Sequence, residues 1–527
     1  MRFPAAGGIG LEVPEVSNTD QQGRRISRIA RGAGAGSLGN GFGRLLGFAV
    51  QLALARLYGP AQLGLYVLGT TVVSLANVLS QIGMDSGVVR YVSQHRASGD
   101  DARVKGIIAQ ALLVTLALSV LLSSVLFFGA GLLAQGLFDI PALEPVLKVF
   151  SLSLPFLTLM SMAFWAVEGF QMVKYSVWVR EVVQLLVNLV LIVLFYLLGA
   201  RIIGAAFAYL ISMAFCSVLA LVYLRKIFPQ IADREAPAVF ESRALFRVSA
   251  PMIVANVARK MDTWTSTIVI GVFATAGAVG IYNSAARTAV LGSIVLVAFT
   301  SIFSPMVAEL HQRGQMQDLD VLYKDVSRWV FTFGLLFFLG TVLLARDMMA
   351  VFGPQFISGW PVLIIIAAAQ LFSTSVGSTQ RILAMTGRQL MLMYVTVGSV
   401  VLNVVLNILL LPSYGIVGSG VARAATTVMD NVFTLLLVNM SLGLWPYSVS
   451  YLKPILAGLL AAAATYLLRL AFPLPLGAVA ILAFGGLYTI LFAGGLLVAG
   501  LDRSDWQFLQ AVWSAVSRKN AKEADVS

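Results

Sequence analysis

Three observations predict an all-α polytopic membrane protein. Of 527 residues 59% are hydrophobic and only 11% charged, mean hydropathy is +0.88, and apolar runs of about twenty residues recur along the chain, the length at which a helix crosses hydrocarbon with its own backbone bonds satisfied. A soluble domain carries about a quarter charged residues.

About fourteen spans are expected, near residues 34–57, 64–89, 106–135, 146–170, 178–199, 203–224, 246–273, 280–306, 327–345, 361–386, 390–411, 416–440, 453–472 and 476–499. Breakers fall between them: Gly59-Pro60, Pro229, Gly353-Pro354, Pro412, Pro446, Pro473 and Pro475. On this topology 25 of the 36 Lys and Arg lie on one set of loops and tails, 5 on the other, and 6 inside spans. The positive-inside rule then puts both termini in the cytoplasm, for a multi-pass protein of the cytoplasmic (inner) membrane. The net charge of +12 is thereby an orientation signal, and no nucleic-acid partner is expected.

The first thirty residues are polar and lack the apolar core of a secretion signal, so the first helix is expected to be retained despite Ala53-Leu54-Ala55. Arg24-Arg25 is taken as a basic flank rather than a twin-arginine signal. At the other end Trp506, Leu509, Trp513 and Val516 recur at helical spacing behind a capping box of Ser504 and Gln507. That tail is expected to lie on the inner leaflet.

Sliding the chain by 216 residues brings Gly64-Leu65-Tyr66 onto Gly280-Ile281-Tyr282 and His95 onto His311. Asn188 meets Asn403 at 215 and Gly204 meets Gly418 at 214. Six spans fit inside one repeat, and an even number returns the chain to its starting side, so the copies share one orientation. The expected division is a basic cytoplasmic tail (1–32), an N-lobe (33–245), a C-lobe (246–450), two accessory helices (451–500) and an amphipathic tail (501–527), with a central cavity between the lobes.

Charges within the spans point to that cavity. Asn40, Arg44, Gly47 and Gln51 form one stripe down the first helix, and the same shift gives Asn256, Lys260, Thr263 and Thr267 on the seventh. Six intramembrane cations, Arg44, Arg259, Lys260, Arg287, Arg381 and Arg423, would cost on the order of 18 kcal/mol facing lipid, so they are expected to line hydrated space. Arg259 and Asp262 are i, i+3 neighbours that can neutralise each other, and Arg423 and Asp430 share a face two turns apart. Arg381 lies near a span end, where snorkelling suffices. Arg44 and Lys260 have no acidic neighbour at helical spacing, and with Asn40, Asn256, Gln51, Arg287 and Arg423 they make the expected substrate-binding set. Asp85, Asp262 and Asp430 are candidates for ion coupling, with pairing to an Arg the competing role for Asp85. Glu168, Arg180 and Glu181 are expected at the membrane interface, and His95 and His311 in solvated loops.

Chemistry is narrowly bounded. Cys216 is the single cysteine and the two histidines have no zinc-ligand spacing, so no metal, cofactor or disulfide is expected. A glycan polymerase or ligase would need a sizeable outer loop, and the longest here, Arg346 to Trp360, is about fifteen residues. No enzymatic activity is expected.

The segments Gly59 to Tyr66 (GPAQLGLY) and Gln81 to Tyr91 (QIGMDSGVVRY) resemble the N-terminal signature of the polysaccharide transporter family of oligosaccharide flippases. Asp262, Ile270-Gly271 and Gly280 to Tyr282 look like its second-lobe counterpart. Asn403 to Gly418 (NVVLNILLLPSYGIVG) is similar to the family's eleventh-to-twelfth helix turn. The resemblance covers about residues 30–500. It implies a member of the multidrug, oligosaccharidyl-lipid and polysaccharide exporter superfamily that moves a polyprenyl-phosphate- or pyrophosphate-linked oligosaccharide across the membrane by alternating access. It also implies a lipid-linked anionic glycan and membrane lipids as partners, contact with glycan assembly machinery, a monomeric state, and a lipid-tail role for the last two spans. An ion-coupled multidrug antiporter of the same superfamily is the alternative, though such proteins usually have twelve spans and an acid-dominated cavity.

Overall fold

The computed structural model describes residues 18–231, 233, 235, 237–500 and 505–506, and all regular structure among them is helical. The first half runs α1 (Asn18–Gln81), α2 (Met84–Ala97), α3 (Asp101–Gly131), α4 (Leu143–Gly169), α5 (Val173–Trp178), α6 (Gln184–Leu197) and α7 (Ile202–Ile227). The second runs α8 (Ser242–Phe273), α9 (Ala276–Val290), α10 (Ile294–Gln312), α11 (Met316–Ala350), α12 (Trp360–Val376), α13 (Thr379–Met385) and α14 (Gln389–Leu442). Then follow α15 (Leu452–Ala471), the short α16 (Ala478–Ala480) and α17 (Gly486–Val498). Ten described helical stretches are long and apolar enough to cross a membrane by length and composition. The protein is a multi-pass, all-helical membrane protein.

Backbone breaks fall both between the expected spans and within them. In α1 Gly59 takes φ 75° just before Pro60, and in α14 Gly415 takes φ 56° after Pro412, so each helix bends into two arms. Proline removes a helical bond and glycine alone tolerates the positive φ cheaply. The second span stops at Ile82–Gly83 and restarts as α2, the eighth is split by a 3-10 turn at Leu291–Ser293, and the tenth is split at Gly377. A Cβ on Gly377 would sit 2.2 Å from Ser327 Oγ, so the break also lets α11 approach. The first helix begins at Asn18, well inside the segment expected to be a separate tail. Leu509, Trp513 and Val516 of the expected amphipathic tail lie outside the described residues.

The internal repeat reappears in the turns. Left-handed residues fall at Gly99 and Gly314, Asp139 and Gly353, Gln171 and Gly387, and Gly199 and Gly415, pairs separated by 214 to 216 positions. One hydrophobic cluster joins the lobes at the end away from the basic loops, with Leu54, Leu63 and Phe150 from the first lobe and Ile270, Val279 and Phe352 from the second. Toward the basic end the cores separate, one built on Val88, Ile107 and Phe164, the other on Phe303, Tyr323 and Val330.

At the joined end two glycines meet the opposite lobe. A Cβ on Gly64 would lie 1.7 Å from the Ala276 carbonyl oxygen, and one on Gly280 would lie 2.1 Å from that of Pro60. Because 276 is 216 beyond 60 and 280 is 216 beyond 64, this is a self-complementary contact about a pseudo-two-fold axis.

The segment between the lobes is strapped to α3 and α2. Val239 N donates to Ala102 O at 3.0 Å, Lys105 Nζ to Asp233 O at 2.5 Å, and Glu241 takes Arg103 at 3.1 Å and His95 Nε2 at 3.4 Å. His95, expected in a solvated loop, lies instead in the last turn of α2, buried and stacked on Tyr91, because the linker covers it. The accessory helices α15 to α17 pack on α11 through Phe331, Leu335, Ala461 and Phe492. Asp505 holds Arg328 and Trp329 in the first half of α11, and Arg469 holds Asp347 near its C-terminal end.

Candidate functional site

A cavity of about 1190 Å³ lies between the lobes, large enough for a bulky headgroup. The first lobe contributes α1, α2, α4, α6 and α7 to its wall and the second α8, α9, α10, α12 and α14. Leu54, Leu63 and Tyr66 form its apolar floor beside the joined end. Among the described lining residues five cations, Arg44, Arg180, Lys260, Arg287 and Arg423, face two carboxylates, Asp85 and Glu181.

The residues named from the sequence gather here in large part: Arg44, Gln51, Asn256, Lys260, Arg287 and Arg423 all line the cavity. The side chains of Asn40, Arg259 and Asp262 lie outside the described residues. Arg44 is half-buried, makes no hydrogen bond or ion pair among the described residues, and leaves Nη1 buried and unsatisfied. Arg287 extends from α9 into the cavity beside Tyr66, likewise without a hydrogen bond or ion pair among the described residues. Lys260 lies over the Trp264 indole, Nζ 5.3 Å from the ring centroid. Gln51 Nε2 reaches across the lobes to Asn283 Oδ1 at 3.2 Å and Ser284 Oγ at 3.3 Å.

The candidate coupling acids separate. Asp85 lines the cavity and takes Asn256 Nδ2 on both carboxylate oxygens, at 3.1 and 2.9 Å. The partner of Asp85 is thus an amide of the other lobe, where an Arg was the expected alternative. Asp430 accepts from Gln380 Nε2 at 2.5 Å and Ser399 Oγ at 3.3 Å and is absent from the lining.

Two cavity groups were assigned from sequence to the membrane interface. A π-helical turn at Val179–Val183 puts an extra residue into the helix and changes the register, carrying Arg180 and Glu181 into the wall. Gly43 permits this approach, since a Cβ there would sit 2.7 Å from Glu181 Cβ. Arg180 is pinned by Glu168 at 3.3 Å, the Ser161 carbonyl at 2.9 Å and the face of Trp165 at 4.7 Å. An extra residue per turn leaves no trace in apolar periodicity.

A two-lobed helical bundle with a polar, cation-rich cavity on its pseudo-two-fold axis defines a membrane carrier fold. The family model described as polysaccharide biosynthesis protein matches residues 29–311, and the chain belongs to that family, within the multidrug, oligosaccharidyl-lipid and polysaccharide exporter superfamily. The probable low-salt glycan biosynthesis flippase Agl15 of Haloferax volcanii is 27% identical over 197 residues, 37% of this chain and 42% of that protein. The match thus spans less than half of that curated relative. In structure the chain is similar to the lipid II flippase MurJ in an inward closed conformation, with a TM-score of 0.70 at 15% identity over 88% of this chain and 97% of that one. An inward-facing multidrug resistance MATE family transporter gives 0.64 at 14% identity over 76% and 94%. At these identities the two structures establish the fold.

Proposed function

We propose that this protein carries a glycan linked to a polyprenyl phosphate or diphosphate between the leaflets of the cytoplasmic membrane, with both termini cytoplasmic. The observation that carries the proposal is the pair Arg44 and Arg287, one from each lobe, lining one cavity with no hydrogen-bond or ion-pair partner among the described residues. A guanidinium held without a partner is costly, and a phosphate relieves that cost through charge-assisted, bidentate bonds. The family assignment and the flippase relative from Haloferax volcanii support a lipid-linked glycan as the cargo. The joined lobes at one end and the divided cores at the other support alternating access, the headgroup shifting the population between states of different affinity.

The test is flipping of a polyprenyl-diphosphate oligosaccharide in proteoliposomes by R44A, R287A and the double variant. Losing a charge-assisted contact is worth about 1.5 to 3 kcal/mol, so each single variant is expected to lose at least about tenfold in flux. Undiminished flux in a folded double variant refutes the assignment. Export of organic cations is the second reading, favoured by the MATE-like fold and by Asp85 in the cavity wall. Five lining cations against two carboxylates oppose it, because they repel a cationic cargo. Ethidium efflux from the same vesicles separates the two.

A further inference from the structure

The duplication lets a wall of the cavity be compared with its own copy. From the joined end toward the basic loops, the second arm of α1 lines the cavity with Thr70, Ser74, Asn77 and Gln81, which lie on one helical face. Shifted by 216, Thr70 and Ser74 become Ala286 and Val290. Beyond Val290 the 3-10 turn at Leu291–Ser293 resets the register, and the second-lobe wall continues as Leu291 and Ile294. The face of α6 repeats the contrast. Gln184 and Asn188 line the cavity, whereas their copies at an offset of 215, Ser399 and Asn403, are absent from the lining. Ser399 Oγ donates to Asp430 at 3.3 Å, and Asn403 gives Nδ2 to Thr426 Oγ1 at 3.0 Å and takes Asn407 Nδ2 on Oδ1 at 3.1 Å. The second lobe thus satisfies these groups internally. The first lobe leaves them open: Gln81 and Gln184, each 9% exposed, make no hydrogen bond among the described residues, and neither does Ser74. Asn188 Oδ1 is buried without a partner, and Asn77 accepts from Thr158 Oγ1 on Oδ1 at 2.9 Å while its Nδ2 has none among the described residues.

We infer that the glycan of the cargo lies along the first lobe, on the amide and hydroxyl face built by Ser74, Asn77, Gln81 and Gln184, while the matching wall of Val290, Leu291 and Ile294 takes no sugar. This rests on the proposed function and adds which lobe holds the glycan. A carboxamide offers two N–H donors and a carbonyl acceptor, and a sugar hydroxyl both donates and accepts, so each amide can engage neighbouring hydroxyls at once. Burying an amide with no partner is unfavourable, and a hydroxyl-rich ring relieves it. The apolar side chains at the copied positions have no such group to offer. A few placed polar groups on an otherwise apolar wall are what fixes the orientation of a bound headgroup.

The experiment compares two probes on the full chain in nanodiscs: a polyprenyl diphosphate bearing two N-acetylhexosamines, and the same lipid diphosphate without sugar. The wild-type chain is expected to bind the first more tightly. Two variant pairs are measured: Q81A with Q184A, which removes both unpartnered amides, and T70A with S74V, which gives the first lobe the residues its copy carries. The first pair is expected to lower the preference for the glycosylated probe about tenfold and the second severalfold, the effect of losing one or two hydrogen bonds. In a variant whose melt shows it folded, an unchanged preference or equal weakening toward both probes overturns the glycan subsite while leaving the proposed function standing. A wild-type chain that binds both probes equally also overturns the subsite, and one that binds neither overturns the proposed function with it.

Discussion

Asp347 has no exposed surface, and it holds Arg469 of α15 at 2.6 Å while accepting the Gly477 amide at 3.4 Å. Removing one member of a buried pair leaves an uncompensated charge, at a cost of about 3 to 5 kcal/mol, so R469A is expected to lower the thermal midpoint of the purified protein markedly. D347N combined with R469Q, which removes both charges, should recover most of the loss in the same melt. Neither residue was marked by the sequence, because they meet across helices more than a hundred positions apart. The same limit applies to Asp85 and Asn256, whose contact joins the lobes. The stripe Arg44, Gln51, Asn256 and Lys260 was legible because it lies at regular helical spacing and carries charge or amides where lipid-facing helices have none.

Helix breaks determine what the elements present to one another. The apolar runs revealed the helices, and Gly59-Pro60 and Pro412 marked two bends, but the π-helical turn at Val179–Val183 was silent in the sequence and moved Arg180 and Glu181 into the cavity. At Gly64 and Gly280 the helix backbones of the two lobes touch. G64A must push α1 from α9, and the expected result is a population shift toward a state open at that end. Maleimide labelling of a cysteine placed at Leu63, in a C216S background, reads this directly: Leu63 is 1% exposed, so labelling should rise severalfold with G64A and stay low without it. Unchanged labelling would mean the glycine contact does not hold the lobes together.

For the whole molecule, the lobes are tied at both ends of the cavity, by the glycine contact on one side and by Asp85 with Asn256 on the other. N256A removes only the second tie. A cysteine at Ser86, exposed beside it, is expected to gain reactivity toward a bulky maleimide while one at Leu63 does not. Two-lobe architecture was legible because duplication preserves spacing, down to left-handed turns 214 to 216 residues apart. The linker lashed to α3 was hidden, since a polar segment without periodicity gives no sign of what it binds. The glycine contact has a final consequence. A surface that fits its own copy after a half rotation would let two identical half-length polypeptides, inserted the same way round, form this seam.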